Sequence, residues 1–220
     1  MNLVELITYS IYLTGLFLIY KTIIFVFGLI FGSSKRTSSA LTGKIETELV
    51  PWDMQGINVR SRVDYKTWMK IAHTAHSINR IKFKLPMDCC EVCKQNGRNQ
   101  GFDHPLEAHE EWRFDHETRT QRLARIRSLC PLCHKAVHIG LADKQGYGER
   151  VRKHMAQVNG WSLDQVEQHI EQAKIKVKTM KKMGKYKLDL TYLNNAPYTA
   201  VHNFKFTKNE TNYCQPNIYE

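Results

Sequence analysis

The spacing of apolar positions changes three times along the chain. From Ile7 to Phe31 apolar residues are nearly continuous, broken only by Lys21 and a few small or hydroxyl residues, and that is enough helix to cross a hydrocarbon core of about 30 Å. A cleaved signal peptide would carry a basic residue ahead of a shorter apolar run, whereas here no basic residue precedes it and the run is too long. Residues 1–34 therefore read as a transmembrane anchor. Lys21 falls mid-span, where it has to snorkel, pair with another helix, or mark a shorter interfacial stretch from Ile23 to Phe31. Residues 35–49 follow as a linker with many Ser, Thr and basic residues.

Helical periods take over further on. Asp64 is placed to cap a helix whose Trp68, Ile71, Ala75 and Ile78 recur at three- and four-residue steps. Val151, Met155 and Val158 repeat in the same way, with Asn159 and Gly160 as the stop. Ser162 and Gln165 have the spacing of a capping box ahead of Leu163, Val166, Ile170, Ala173, Val177 and Met180. Lys187 to Leu193 alternates like a short strand. Val50 to Ser61, with Pro51 and Gly56, is too irregular for a helix and suggests an arm laid over the core. The pattern thus bounds one domain at residues 50–193, with 194–220 as a tail without a legible period.

Charge and cysteines narrow the classes. The net charge of +11 lies entirely beyond the apolar segment, because Glu5 and Lys21 cancel within it. Such a surface favours nucleic acid or anionic lipid. Lys174, Lys176, Lys178, Lys181 and Lys182 form either a solvated helix face or a set of phosphate contacts. Lys35, Arg36 and Lys44 behind the span, with Glu5 ahead of it, place the C-terminal domain in the cytoplasm. Four of the six cysteines form two Cys-x-x-Cys pairs, Cys90 with Cys93 and Cys130 with Cys133. That spacing suits one tetrahedral Zn2+ better than a disulfide framework, and a site closed by four thiolates is structural. Cys89 and Cys214 remain unpaired, which fits a reducing compartment.

Chemistry would have to come from beside that ion. His109 lies between the pairs, and His134 and His138 follow the second pair four residues apart, so on a helix they share one face and can meet one ion. Their alternative role is to cap or pack the helix. His73 and His76 have similar spacing but no third donor nearby in the sequence, and read as an ordinary helix pair.

The runs "CEVC", "PLEAHEEWRFD", "QRLARIRSLCPLCHKAVHIGLA" and "HMAQVNGWS", preceded by "WDMQGINVRSRV", resemble bacterial and phage HNH endonucleases over about residues 50–193. The resemblance implies an α+β, mainly helical fold. In it a ββα-metal unit, made of a hairpin and then a helix, is pinned by the two cysteine pairs and flanked by further helices. It implies that His109 is the general base, that His134 or His138 holds a divalent cation such as Mg2+ or Mn2+, and that the substrate is double-stranded DNA. Two positions depart from the family pattern: Ala108 stands where an acidic residue or histidine precedes the base, and Arg125 stands near the place of an asparagine. Glu110 is a substitute carboxylate for the ion. A membrane-tethered endonuclease is the first functional reading. The others are a non-catalytic zinc module that binds nucleic acid or a protein at the membrane, and a zinc domain serving assembly alone. No small-molecule substrate is indicated.

Overall fold

The computed structural model describes residues 43–51, 54–202 and 206. The apolar segment read as an anchor lies outside them, as does Cys214. Among the described residues no helix is long and apolar enough to cross a membrane.

The chain is α+β. Its elements are α1 (Tyr65–Lys82), β1 (Glu107–Asp115), β2 (Thr120–Leu129), α2 (Pro131–Val137), α3 (Ile139–Lys144), α4 (Gly148–Asn159), α5 (Leu163–Met183) and β3 (Lys187–Asp189), followed by short 3-10 turns. Strand β2 is central, antiparallel to β1 and parallel to β3.

Local chemistry accounts for the helix ends. Asp64 accepts from the Thr67 backbone N–H at 2.9 Å and from its hydroxyl at 2.7 Å, fixing the start of α1. Helix α4 stops at Gly160, whose φ of +66° is the left-handed conformation that glycine adopts without strain. Ser162 and Gln165 form the complete capping box at the start of α5. The expected strand at Lys187 to Leu193 is shorter, because after Asp189 the chain turns into the 3-10 turn Thr191–Asn194. Asp189 drives that turn by accepting from the Thr191 N–H and hydroxyl.

The hairpin separates two apolar clusters. One face of β1 presents Ala108, Glu110 and Trp112, and Ala108 and Trp112 pack with Leu123 and Ile126 of β2 against Trp68, Ile71 and Ala75 of α1. Asn79 ties α1 to this face by donating to the Ile126 carbonyl and the Ser128 hydroxyl, and His76 bonds Ser128 at 2.8 Å. His76 thus packs the helix, and His73 is exposed. The opposite face carries Glu107, His109 and Glu111, paired with Leu129, Arg127 and Arg125. A bulge between Glu111 and Trp112 leaves Ala124 as the extra residue on β2, so that Leu123 still points to the α1 side. The second cluster joins Leu129, Val92 and the buried cysteines to α2, α3, α4 and the start of α5.

The domain begins before residue 50. Ile45, within the stretch read as linker, is fully buried in the second cluster, and Asn159 holds it from both sides, accepting from its N–H at 2.9 Å and donating to its carbonyl at 2.8 Å. Glu48 donates its backbone N–H to Val137. The tail also contributes to the fold, since Tyr198 and Phe206 are buried in the α1 cluster. Both segments lack a period because they are single irregular passes.

Replacing Asn159 by Ala strips the Ile45 backbone of two partners in a buried setting. A loss of about 1–3 kcal/mol is expected in denaturant unfolding, with helical circular dichroism unchanged before the transition.

Candidate metal centres

Backbone turns bring the four paired cysteines together. Asp88 and Lys94 flank the first pair at φ +58° and +62°, and the Cys90 carbonyl accepts from the Lys94 N–H at 3.1 Å, folding Cys90-Glu91-Val92-Cys93 into a tight knuckle. The second pair uses a helix start: Cys130 is extended, Pro131 occupies the first helical position, and Cys133 falls in the first turn of α2. The loop between the knuckles crosses this helix start so closely that a Cβ at Gly97 would lie 2.5 Å from the Pro131 ring.

One sulfur of each cysteine lies within 4.8 Å of the others, and Cys93 and Cys130 are 3.4 Å apart. Cys90, Cys130 and Cys133 are buried and Cys93 is half-buried. Cys89 stays outside the cluster. Contacts from Cys133, Cys90 and Cys93 hold the Cys130 thiol far below its usual range, while the contact with Cys130 drives Cys93 and Cys133 up. Charge is therefore rationed among the four sulfurs, and a dication is what allows all of them to ionise. Two nitrogens also face the sulfurs: the Gln100 amide donates to Cys130 at 3.2 Å, and His154 Nε2 lies 3.2 Å from Cys133. Outer donors of this kind stabilise thiolates. The set fits Zn2+, which takes four sulfurs at about 2.3 Å.

A second cluster joins His109 of β1 to His134 of α2 and His138 at its C-terminal end, with one ring nitrogen of each within 4.8 Å of the others. The His138 N–H donates to the His134 carbonyl at 3.2 Å, so the four-residue spacing is realised as one turn. Ring centroids are 4.8–5.4 Å apart. Carboxylates orient two of the rings. Glu48 lies 3.2 Å from His109 Nε2, and Glu107 lies 2.5 Å from His134 Nδ1. A carboxylate only accepts, so these nitrogens carry protons, which in a neutral ring leaves the opposite nitrogen as the acceptor. His109 Nδ1, the nitrogen left over, is buried without a hydrogen-bond partner. Burial, reinforced by the charges of His134 and His109, pulls His138 down to about 3, so its ring is neutral at physiological pH. Burial alone would raise Glu107, but the hydrogen bond and charge of His134, with help from His104, bring it to about 2.

Glu110 is not part of this cluster. Successive side chains of a strand point to opposite faces, and Glu110 shares the α1 side with Ala108 and Trp112, where burial pushes its carboxyl up. Glu107 and Glu111 keep the face of His109, because they lie two residues before and after it. The carboxylates that do meet the histidines, Glu107 and Glu48, escaped the reading by residue type. Strand period alone points to Glu107. Nothing local points to Glu48, which arrives from the irregular N-terminal pass.

An ion-pair network lies between the two centres. Glu91, inside the first knuckle and only 3% exposed, accepts from Arg125 on both oxygens at 2.7 and 3.1 Å, from Arg127 at 3.0 Å and from the Ser128 N–H at 3.1 Å. Arg127 also reaches Glu48 at 3.4 Å, and Arg125 reaches Glu111 at 2.8 Å.

Elemental analysis of the folded protein is expected to find zinc bound at the cysteines. Cys130→Ser should release it and lower the melting temperature sharply, since metal binding and folding are linked, whereas Cys89→Ser should do neither. No family model matches the chain, and no curated protein or solved structure matches it either.

Proposed function

We propose that the chain is a metal-dependent endonuclease of the HNH type that hydrolyses DNA phosphodiester bonds, tethered to a membrane by the segment Ile7–Phe31 with its C-terminal domain in the cytoplasm. The observation that carries this reading is the histidine centre. A strand and the helix after it bring three imidazoles together, carboxylates on the outer nitrogens of two of them fix the tautomers, and His109 Nδ1 is left buried and unbonded. Three protein donors leave a coordination position open, which is the pattern of catalytic rather than structural sites. The hairpin, the helix and the cysteine pairs at its ends are also the parts that the HNH resemblance implies.

A divalent cation bound there would polarise the scissile phosphate and stabilise the charge that develops during its displacement. Imidazole donors favour Zn2+, Co2+ or Ni2+ over Mg2+, which prefers oxygen. In this reading His109 is an ion ligand and not the general base that the resemblance implies, because its side chain is buried and its Nε2 is taken by Glu48. Glu48, with 29% of its side chain exposed, is the carboxylate within reach of both solvent and the site, whereas Glu107 is held ionised by His134 and His104. Along α5 the exposed Lys174, Lys176, Lys178, Lys181 and Lys182 stand with no acidic residue between Lys174 and Lys187, and supply phosphate contacts.

One observation favours the second reading, a zinc module that binds nucleic acid or a protein at the membrane without cutting. Arg125, near the place of the family's asparagine, is committed to Glu91 and Glu111 and leaves no polar group free for the ion. The two readings separate in a plasmid-nicking assay of the full chain in detergent with Zn2+, Co2+, Ni2+, Mn2+ or Mg2+. The nuclease reading expects cation-dependent nicking that falls to background in His134→Ala and His138→Ala while the cysteine-bound zinc is retained. Wild-type protein that binds DNA but nicks it with none of these ions would leave the binding module as the function.

A further inference from the structure

The short path between the two metal centres runs through buried charges. Glu91 sits between Cys90 and Cys93, and its backbone N–H donates to the Ser128 carbonyl at 3.0 Å, so the knuckle and strand β2 fix its position together. Its oxygens take donors from Arg125, Arg127 and the Ser128 N–H. Arg127 is opposite His109 in the strand register and spans from Glu91 to Glu48. Glu48 in turn holds His109 Nε2. Four residues thus connect a cysteine-pair turn to the ring nitrogen opposite the candidate ligand atom of the histidine centre.

We infer that Glu91, acting through Arg127 and Glu48, positions the His109 ring, so that filling the cysteine centre sets the cation affinity of the histidine centre. This rests on the reading of the three histidines as a cation site. Glu48 arrives on a segment without regular structure, and a carboxylate there has many places to go. Arg127 is buried and directs one N–H toward each carboxylate, which confines Glu48 to the position that sets the His109 tautomer. A planar guanidinium can serve two carboxylates in a fixed geometry and an ammonium cannot. The zinc-bound knuckle anchors the far end of the path, because an ion on Cys90 and Cys93 immobilises the residue between them.

Arg125 continues to Glu111 at 2.8 Å, and Glu111 also lies 3.7 Å from Arg127 Nε, so this branch returns to the same arginine. Outer-shell partners of metal-binding histidines typically contribute about 10–100-fold in affinity. The test titrates Co2+ into full-length protein whose cysteines are already filled with zinc, following the visible absorption of nitrogen-ligated cobalt. Zinc content and melting temperature are measured on the same samples. Glu91→Gln is expected to keep its zinc and to bind Co2+ about 10–100-fold more weakly than wild type, while Arg122→Gln, which removes the ion pair of an exposed arginine elsewhere on β2 with Asp189, binds it like wild type. Glu91→Gln with full zinc and unchanged Co2+ affinity overturns the inference. If Glu91→Gln does not fold, Arg127→Lys is measured in its place, with the same loss expected and the same overturning result. Zinc-filled wild type that takes up no Co2+ removes the cation site itself and the inference with it, an outcome distinct from a variant that merely behaves like wild type.

Discussion

Two short turns, one ending at Cys93 and the other opening α2 at Cys130, meet with four sulfurs inside a few ångströms, and most of the domain is organised around that meeting. The second apolar cluster is built from the cysteines outward, through Val92, Leu129, Leu132 and Val137 to α4 and α5. Sulfurs so close and so poorly solvated cannot all be thiolates without a dication, and as neutral thiols they give the turns little reason to remain together. A zinc ion held by the four sulfurs would convert this conflict into a cross-link between the two turns. Its position at the exit of β2 also fixes where α2 begins, and thereby where His134 and His138 point.

The histidine centre depends on that geometry but has its own logic. His109 comes from a strand, His134 and His138 from one helical turn, and the outer carboxylates from two further segments. None of these approaches is local in sequence except the turn. The hairpin register does most of the alignment, because it sets His109 opposite Arg127 and keeps Glu107 and Glu111 on the same face. Buried Arg127 and half-buried Arg125 then reconcile Glu48, Glu91 and Glu111, which would otherwise repel one another, and link the cysteine turn to the histidine cluster.

Features governed by neighbours along the chain were legible in the sequence. The caps at Asp64 and Ser162, the stop at Gly160, the two cysteine knuckles and the helical spacing of His134 and His138 all follow from patterns a few residues long. What escaped depended on contacts far apart in the chain. Glu48 belongs to a stretch that has the composition of a linker, and only the fold shows that Ile45 is core and that its neighbours reach the histidines. Glu110 reads in the sequence as the carboxylate for the ion, but on a strand the immediate neighbour of His109 is the residue facing away, and Glu107 meets the histidines in its place. Arg125 reads in the sequence only as standing near the place of an asparagine and Arg127 only as part of the basic surplus, and the hairpin register is what brings both to Glu91.

Among the described residues one domain brings together two chemically distinct sets of donors that could each hold an ion, one of sulfur and one of imidazole. X-ray absorption on protein loaded with zinc and then with cobalt tests this directly, since each edge reports its own ligands. The expected result is a zinc shell of four sulfurs at about 2.3 Å and a cobalt shell of nitrogen and oxygen donors near the roughly 2.0–2.1 Å typical of imidazole coordination, without sulfur. Sulfur in the cobalt shell, or nitrogen in the zinc shell, would contradict it.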